Sequence, residues 1–187
     1  TSLGGQKGFV IDTSPTTIAS ISSSASDATY KIGDVIPISI TFSEVVTVTG
    51  IPQLTLETGE TDAVVNYTSG SGSTTLLFNY SVSSGQASND LDYAGTDALS
   101  LNGGTILDAS GNASVLTLAS PGATNSLGAN KALIIDGIVP SVSFVASSTS
   151  NGIYKIGETV AITVTFSEAV TVNGSPQLTL ETGSSDA

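Results

Sequence analysis

A segment of 34 residues occurs twice in this chain, and its second copy shows which features of the first the fold requires. Residues 30–63 read YKIGDVIPISITFSEVVTVTGIPQLTLETGETDA, and residues 154–187 read YKIGETVAITVTFSEAVTVNGSPQLTLETGSSDA. The offset is 124 residues (154 − 30), and 23 of the 34 positions are identical. The same offset aligns Ser2-Leu3-Gly4 with Ser126-Leu127-Gly128, Lys7 with Lys131, and Asp12 with Asp136. A period this long is the size of a domain, not of a solenoid rung.

The differences between copies locate a buried face. Ile36, Ile38, Ile40 and Phe42 correspond to Val160, Ile162, Val164 and Phe166, all large and apolar. Pro37, Ser39 and Thr41 between them correspond to Ala161, Thr163 and Thr165, small or polar. Conservation of one face at period two defines a half-buried strand. Strands are predicted at Thr16–Ser22, Val35–Phe42, Gln53–Glu57, Ala63–Thr68, Thr75–Val82, Leu99–Leu107, Val115–Leu118 and Lys131–Ile135. Ser69-Gly70-Ser71-Gly72-Ser73 reads as a hairpin turn. No stretch carries a sustained helical period. Seven to nine short strands per 124 residues predict an all-β fold, an Ig-like antiparallel β-sandwich repeated in tandem. The expected division is 1–13 as the last strand of a preceding copy, 14–136 as a complete repeat, and 137–187 as the first half of the next. Half a sandwich exposes strand edges and an apolar face, so continuing polypeptide or neighbouring copies in a fibre are expected to cover it.

Composition narrows the chemistry. Sixteen carboxylates face four lysines and no arginine, a net charge of −12 that disfavours nucleic acid and anionic membranes as partners. No apolar run is long enough to span a bilayer, so no membrane insertion is expected in this window. His, Cys, Met and Trp are all absent, which removes imidazole bases, thiolates and soft-metal ligands. The remaining metal chemistry is oxygen-based and suits Ca²⁺. A carboxylate pair such as Asp90 and Asp92 is a candidate for glycosidic acid/base work, but it lies in a loop region without an aromatic platform. The chain is expected not to be an enzyme.

The residues Tyr30-Lys31-Ile32-Gly33-Asp34, Ile40-Thr41-Phe42-Ser43-Glu44 and Val46-Thr47-Val48-Thr49-Gly50 are similar to motifs of a known repeat class. So are Tyr67-Thr68-Ser69-Gly70-Ser71-Gly72, Asp90-Leu91-Asp92-Tyr93 and Asp108-Ala109-Ser110-Gly111-Asn112-Ala113. Together they resemble the bacterial Ig-like repeats (Big-type) of giant secreted adhesins and biofilm surface proteins. The resemblance implies an extracellular or cell-surface location and a role as an extender module. It also implies calcium at some domain junctions.

Strand topology gives the expected positions of calcium. If antiparallel strands alternate between two poles, Glu44 and Asp108 reach the entrance pole beside Asp12. Asp90 and Asp92 reach the exit pole, facing Asp136 and Glu168 of the next junction. Divalent cations would turn mutual repulsion into attraction at each junction. The alternative reading makes these ordinary turn and loop charges. Asn66, Asn79, Asn112 and Asn173 head glycosylation-type tripeptides, and Lys31 and Lys131 are the only lysines of the complete repeat. Two functions remain open: a structural extender of a stalk, filament or biofilm fibre, and a module that binds a glycan or surface protein through pole loops. Repetition favours the first.

Overall fold

The computed structural model describes residues 13–183, in two compact units that meet between Ile138 and Val139. The first holds β1 (Ile18–Ser23), β2 (Ala28–Lys31), β3 (Val35–Thr49), β4 (Gln53–Leu56), β5 (Ala63–Ser69) and β6 (Ser73–Ser81). β7 (Ala87–Ser88), β8 (Leu99–Ser100), β9 (Thr105–Asp108), a one-turn helix α1 (Leu127–Asn130) and β10 (Leu133–Asp136) complete it. The second unit holds β11 (Val142–Ser147) and β12 (Ile162–Phe166). The chain is all-β with mainly antiparallel sheets, an arrangement consistent with a β-sandwich.

The larger sheet of the first unit runs β1-β3-β6-β5-β4-β8, and β9 pairs with the far half of β3. β3 follows the alternation read from the sequence: Ile36, Ile38 and Ile40 are wholly buried and Phe42 nearly so. They stand in register with β6, Ile36 opposite Tyr80, Ile38 opposite Phe78 and Ile40 opposite Leu76. Each such side chain contributes about 1.5–3 kcal/mol on leaving water. β3 is longer than predicted. After a register shift between Thr41 and Val46 it continues to Thr49, keeping β6 only at Val46 opposite Ser73 and pairing Val46–Thr49 with β9.

The β5–β6 turn needs glycine. Gly70 has φ +111°, and a Cβ there would stand 2.1 Å from the Thr75 carbonyl oxygen. Ser71 N–H donates to the Tyr67 hydroxyl at 2.8 Å, closing the turn.

The smaller sheet, β2-β10-β7, departs from a purely antiparallel expectation, because β10 runs parallel to β2. A parallel pair needs a long crossover, and here the intervening chain is most of the first unit. β10 still contributes Leu133 and Ile135 to the same core cluster as Ile36, Phe78 and Leu54. The segment predicted as one strand from Leu99 to Leu107 is broken at Asn102-Gly103-Gly104, where Asn102 and Gly103 adopt positive φ. Val115–Leu118 is extended without forming a ladder: Val115 N–H donates to the Thr16 carbonyl and Leu118 N–H to that of Thr96.

Candidate functional site

The predicted carboxylates fall into separate groups. Glu44 and Asp108 come to the same end of the β3–β9 ladder, where Asp108 stands opposite Val46. The start of β1 is adjacent, since Ser43 N–H donates to the Thr17 carbonyl at 2.8 Å. Asp12 lies outside the described residues. Glu44 is exposed, whereas Asp108 is buried.

Asp108 is engaged by its own loop. Its Oδ1 accepts from the Ser110 and Asn112 backbone N–H groups at 2.8 Å each, and its Oδ2 from Asn112 Nδ2 at 2.9 Å. Burial alone would raise its pKa; the donors from Asn112, Ser110 and Gly111 outweigh that and hold the carboxyl below its ordinary value. Asp-Ala-Ser-Gly-Asn is thus a self-closed turn built on a carboxylate.

Asp90 and Asp92 line a pocket of about 330 Å³ with Glu57, Tyr93, Ala94, Pro121 and Gly122. Asp92 is buried; its Oδ1 accepts from Tyr93 N–H at 3.0 Å and its Oδ2 from Gly122 N–H at 2.9 Å. The Tyr93 hydroxyl donates to the Ala119 carbonyl at 2.7 Å. Burial, assisted by the Asp92 charge, pushes Tyr93 up to about 12. The carboxylate and the phenol therefore tie the loop before β8 to the loop before α1. Gly128 closes the other side, where a Cβ would lie 2.9 Å from Asp92 Oδ2 and 3.4 Å from Asp90 Oδ2.

Asp136 is not beside this pair. Leu91 N–H donates to the Leu133 carbonyl, at the start of β10, while Asp136 ends that strand three residues on, about 10 Å away at ~3.3 Å per residue. Asp136 is exposed, and its Oδ1 accepts from Ile138 N–H at 3.3 Å. Glu168 in the second unit is half-buried, and its Oε1 has no hydrogen-bond partner. Among the described residues, no three acidic side chains gather into a group able to hold a metal. Sequence reasoning missed Glu57, Gly122 and Gly128 around Asp92. The recurrence of Ser-Leu-Gly at 2–4 and 126–128 was the one signal pointing to Gly128.

Lys131 forms an ion pair with Asp27 at 3.1 Å, which holds Asp27 below the usual carboxylate range. A groove of about 660 Å³ runs along β5 and β6, bordered by Asn66, Tyr67, Asn79, Tyr80 and Gln86. No described helix is long and apolar enough to cross a membrane. These features define an all-β chain whose buried carboxylates are bound by backbone donors, from its own loop for Asp108 and from its own loop and the loop before α1 for Asp92. No family model, no curated protein and no solved structure matches the chain.

Proposed function

We propose that the chain is a load-bearing spacer from an extracellular bacterial surface protein, built from tandem Ig-like repeats and without catalytic activity. The observation that carries this reading is the recurrence of one strand pairing at the repeat offset. The β1–β3 register from Ile18 opposite Phe42 to Ser23 opposite Ile38 returns as Val142 opposite Phe166 to Ser147 opposite Ile162. Both ladders carry an irregularity at the same place, Ile18/Ser20 and Val142/Phe144. Copying a unit with its register intact suits spacing and stiffness better than recognition of one ligand.

The parallel pair also supports a mechanical role. β2 lies near the start of the first unit and β10 at its end, with four residue pairs from Leu133–Ala28 to Asp136–Lys31. Tension applied at the two chain ends pulls parallel neighbours past each other in shear, loading their hydrogen bonds together instead of one at a time.

Pulling the whole chain by its ends in a single-molecule force experiment tests the reading. The expected trace has one abrupt rupture that releases the 109 residues from Ala28 to Asp136 (136 − 28 + 1), roughly 350 Å of chain at ~3.6 Å per residue less the folded span. A smooth extension without a rupture event would remove the spacer function.

The binding alternative has one specific support, the amide- and tyrosine-lined groove along β5 and β6. Saturable glycan binding by the whole chain that is lost in Asn79→Ala would favour it. The calcium element groups Glu44 and Asp108 with Asp12 at one junction, and Asp90, Asp92, Asp136 and Glu168 at the next; the approach of Glu44 and Asp108 at one end of the β3–β9 ladder and the unpartnered Glu168 Oε1 support it. A flat calorimetric titration of the whole chain with CaCl₂ would remove that element alone.

A further inference from the structure

One position that differs between the two copies carries reactive chemistry. The repeat offset aligns Ser26-Asp27-Ala28 with Ser150-Asn151-Gly152. The surrounding loop folds alike in both. Ala25 N–H donates to Ser23 Oγ, and Thr149 N–H to Ser147 Oγ. The Tyr30 hydroxyl donates to the Ser26 carbonyl, and the Tyr154 hydroxyl to that of Ser150. Asp27 is exposed within the complete first unit, so the exposure of Asn151 is a property of this loop in a whole repeat as well.

In the first copy the acid has a role. Asp27 Oδ1 accepts from Lys131 Nζ at 3.1 Å and from Ala132 N–H at 3.2 Å. These contacts stand at the head of the parallel pair, just before Ala28 and Leu133. Asn151 offers a neutral amide instead, and glycine follows it. Having no Cβ, Gly152 leaves its backbone nitrogen open to the Asn151 side chain. Among the described residues, the Asn151 side chain makes no hydrogen bond.

The first unit contains an Asn-Gly pair that is held. Asn102 has φ +45° and Gly103 φ +77°, in a turn closed by Gly104 N–H donating to the Leu101 carbonyl at 2.8 Å. Asn102 Nδ2 donates to the Ile51 carbonyl at 3.1 Å. Its amide is tethered and its backbone fixed, whereas Asn151 has neither restraint. A third pair, Asn173-Gly174, aligns with Thr49-Gly50, where the first copy carries no acid.

We propose that Asn151 is a site of spontaneous deamidation, which converts it to the acid that the first copy holds at Asp27. The deprotonated Gly152 nitrogen attacks Asn151 Cγ. A bond forms between Gly152 N and Cγ, the Cγ–Nδ2 bond breaks, and the nitrogen leaves as ammonia with a proton from water. Water then opens the cyclic imide at either carbonyl, giving aspartate or isoaspartate and returning a proton to Gly152 N. One water is consumed, one ammonia is released, and nothing is oxidised or reduced. The aspartate product places a negative charge where Asp27 meets Lys131 in the first copy, so the repeat acquires with age an ion-pair acid beside its parallel strands. The consequence for load rests on the load-bearing reading; the modification does not, and the two are measured separately.

The test ages the freshly purified whole chain in mildly alkaline buffer made with heavy-oxygen water and maps each site by mass spectrometry. Residue 151 is expected to lose its amide nitrogen and gain one heavy oxygen, as isoaspartate and aspartate together, at least tenfold faster than residue 102. Gly152→Ala restores the first copy's residue at a place where a Cβ meets nothing closer than 3.8 Å, and it should slow conversion at least tenfold. Conversion no faster than at Asn102, or equally fast in Gly152→Ala, overturns the proposal. Aspartate without isoaspartate would show direct hydrolysis of the side chain and overturns it too. Asp27→Asn then puts the unmodified amide into the first copy, and amide exchange within Leu133–Asp136 should quicken at least twofold. Unchanged exchange there would refute the role assigned to the new acid.

Discussion

β3 and β12 have nearly the same sequence and opposite fates. β3 pairs with β1, and β12 with β11, through the same register. Both junctions are closed by the same side-chain bonds: Thr17 N–H donates to Ser43 Oγ at 3.0 Å, and Ser141 N–H to Ser167 Oγ at 2.9 Å. Ser23 Oγ donates to the Pro37 carbonyl at 2.6 Å, and Ser147 Oγ to that of Ala161 at 2.8 Å. Lys31 N–H donates to Asp34 Oδ2, and Lys155 N–H to Glu158 Oε2. Yet Ile38 is sealed in the core and Ile162 is open. Local pairing is therefore encoded within the first third of the repeat, whereas burial of its apolar face depends on β5, β6, β9 and β10, supplied by the remaining two thirds.

The largest test of this contrast substitutes the same residue type in both copies. Ile38→Ala is expected to destabilise the first unit by about 2–5 kcal/mol, the usual cost of emptying a packed core position. Ile162→Ala, at a position already in water, should leave the denaturation midpoint of the first unit unchanged and cost the second less than ~1 kcal/mol. Comparable losses in urea unfolding would mean that the second face is covered in solution.

Next in size is the turn that delivers β6. Gly70→Ala puts a Cβ 2.1 Å from the Thr75 carbonyl at a positive φ, a strain of about 1–3 kcal/mol or more. It should lower the stability of the first unit and increase dye binding to newly exposed apolar surface, making that unit behave more like the second. An unchanged midpoint would show that the β5–β6 turn does not determine the cover over β3.

Asp108→Asn should have a smaller effect, a fall of a few degrees in Tm at pH 7. The folded pKa is depressed, so the stabilisation is complete above the ordinary carboxylate value of about 4 and disappears as pH falls through the lower folded value. The variant should flatten the acid limb of the stability profile. An acid limb identical to that of the parent would show that the loop gains nothing from the charge.

Much of the fold was legible because one-sided burial writes period two into the sequence: β3, β4, β5 and β6 were placed to within a few residues, apart from the second half of β3. What was not legible depended on partners distant in the chain. Ala28-Thr29-Tyr30-Lys31 is too short and too exposed to read as a strand by itself, and it pairs because β10 arrives beside it about 100 residues later. Val115–Leu118 does alternate, but its N–H groups are divided between Thr16 and Thr96, so no ladder forms. The carboxylates behave similarly. Alternation of strand direction brought Glu44 and Asp108 to one end. It could not separate Asp90 and Asp92 from Asp136, because the loop running through Gly122 to Gly128 packs against the pair and fixes it at the other end of β10.

The smallest predicted effect concerns two phenols of the first unit. Tyr80 and Tyr93 are buried, and burial pushes both up to about 12. Each hydroxyl has a partner, Gln86 Oε1 at 2.9 Å and the Ala119 carbonyl at 2.7 Å. A folded pKa raised above the unfolded value of about 10 gives stability that is whole below pH 10 and is lost as pH rises toward 12. The first unit should therefore loosen between about pH 10 and 12. Absorbance at 295 nm should show two late tyrosinate steps, and Tyr93→Phe should remove one of them. Amide exchange within Ile162–Phe166 should follow only the intrinsic rise of exchange with pH over the same window. A late step that survives in the double variant Tyr80→Phe/Tyr93→Phe would place the buried phenols elsewhere, and with them the part of the repeat that seals β3.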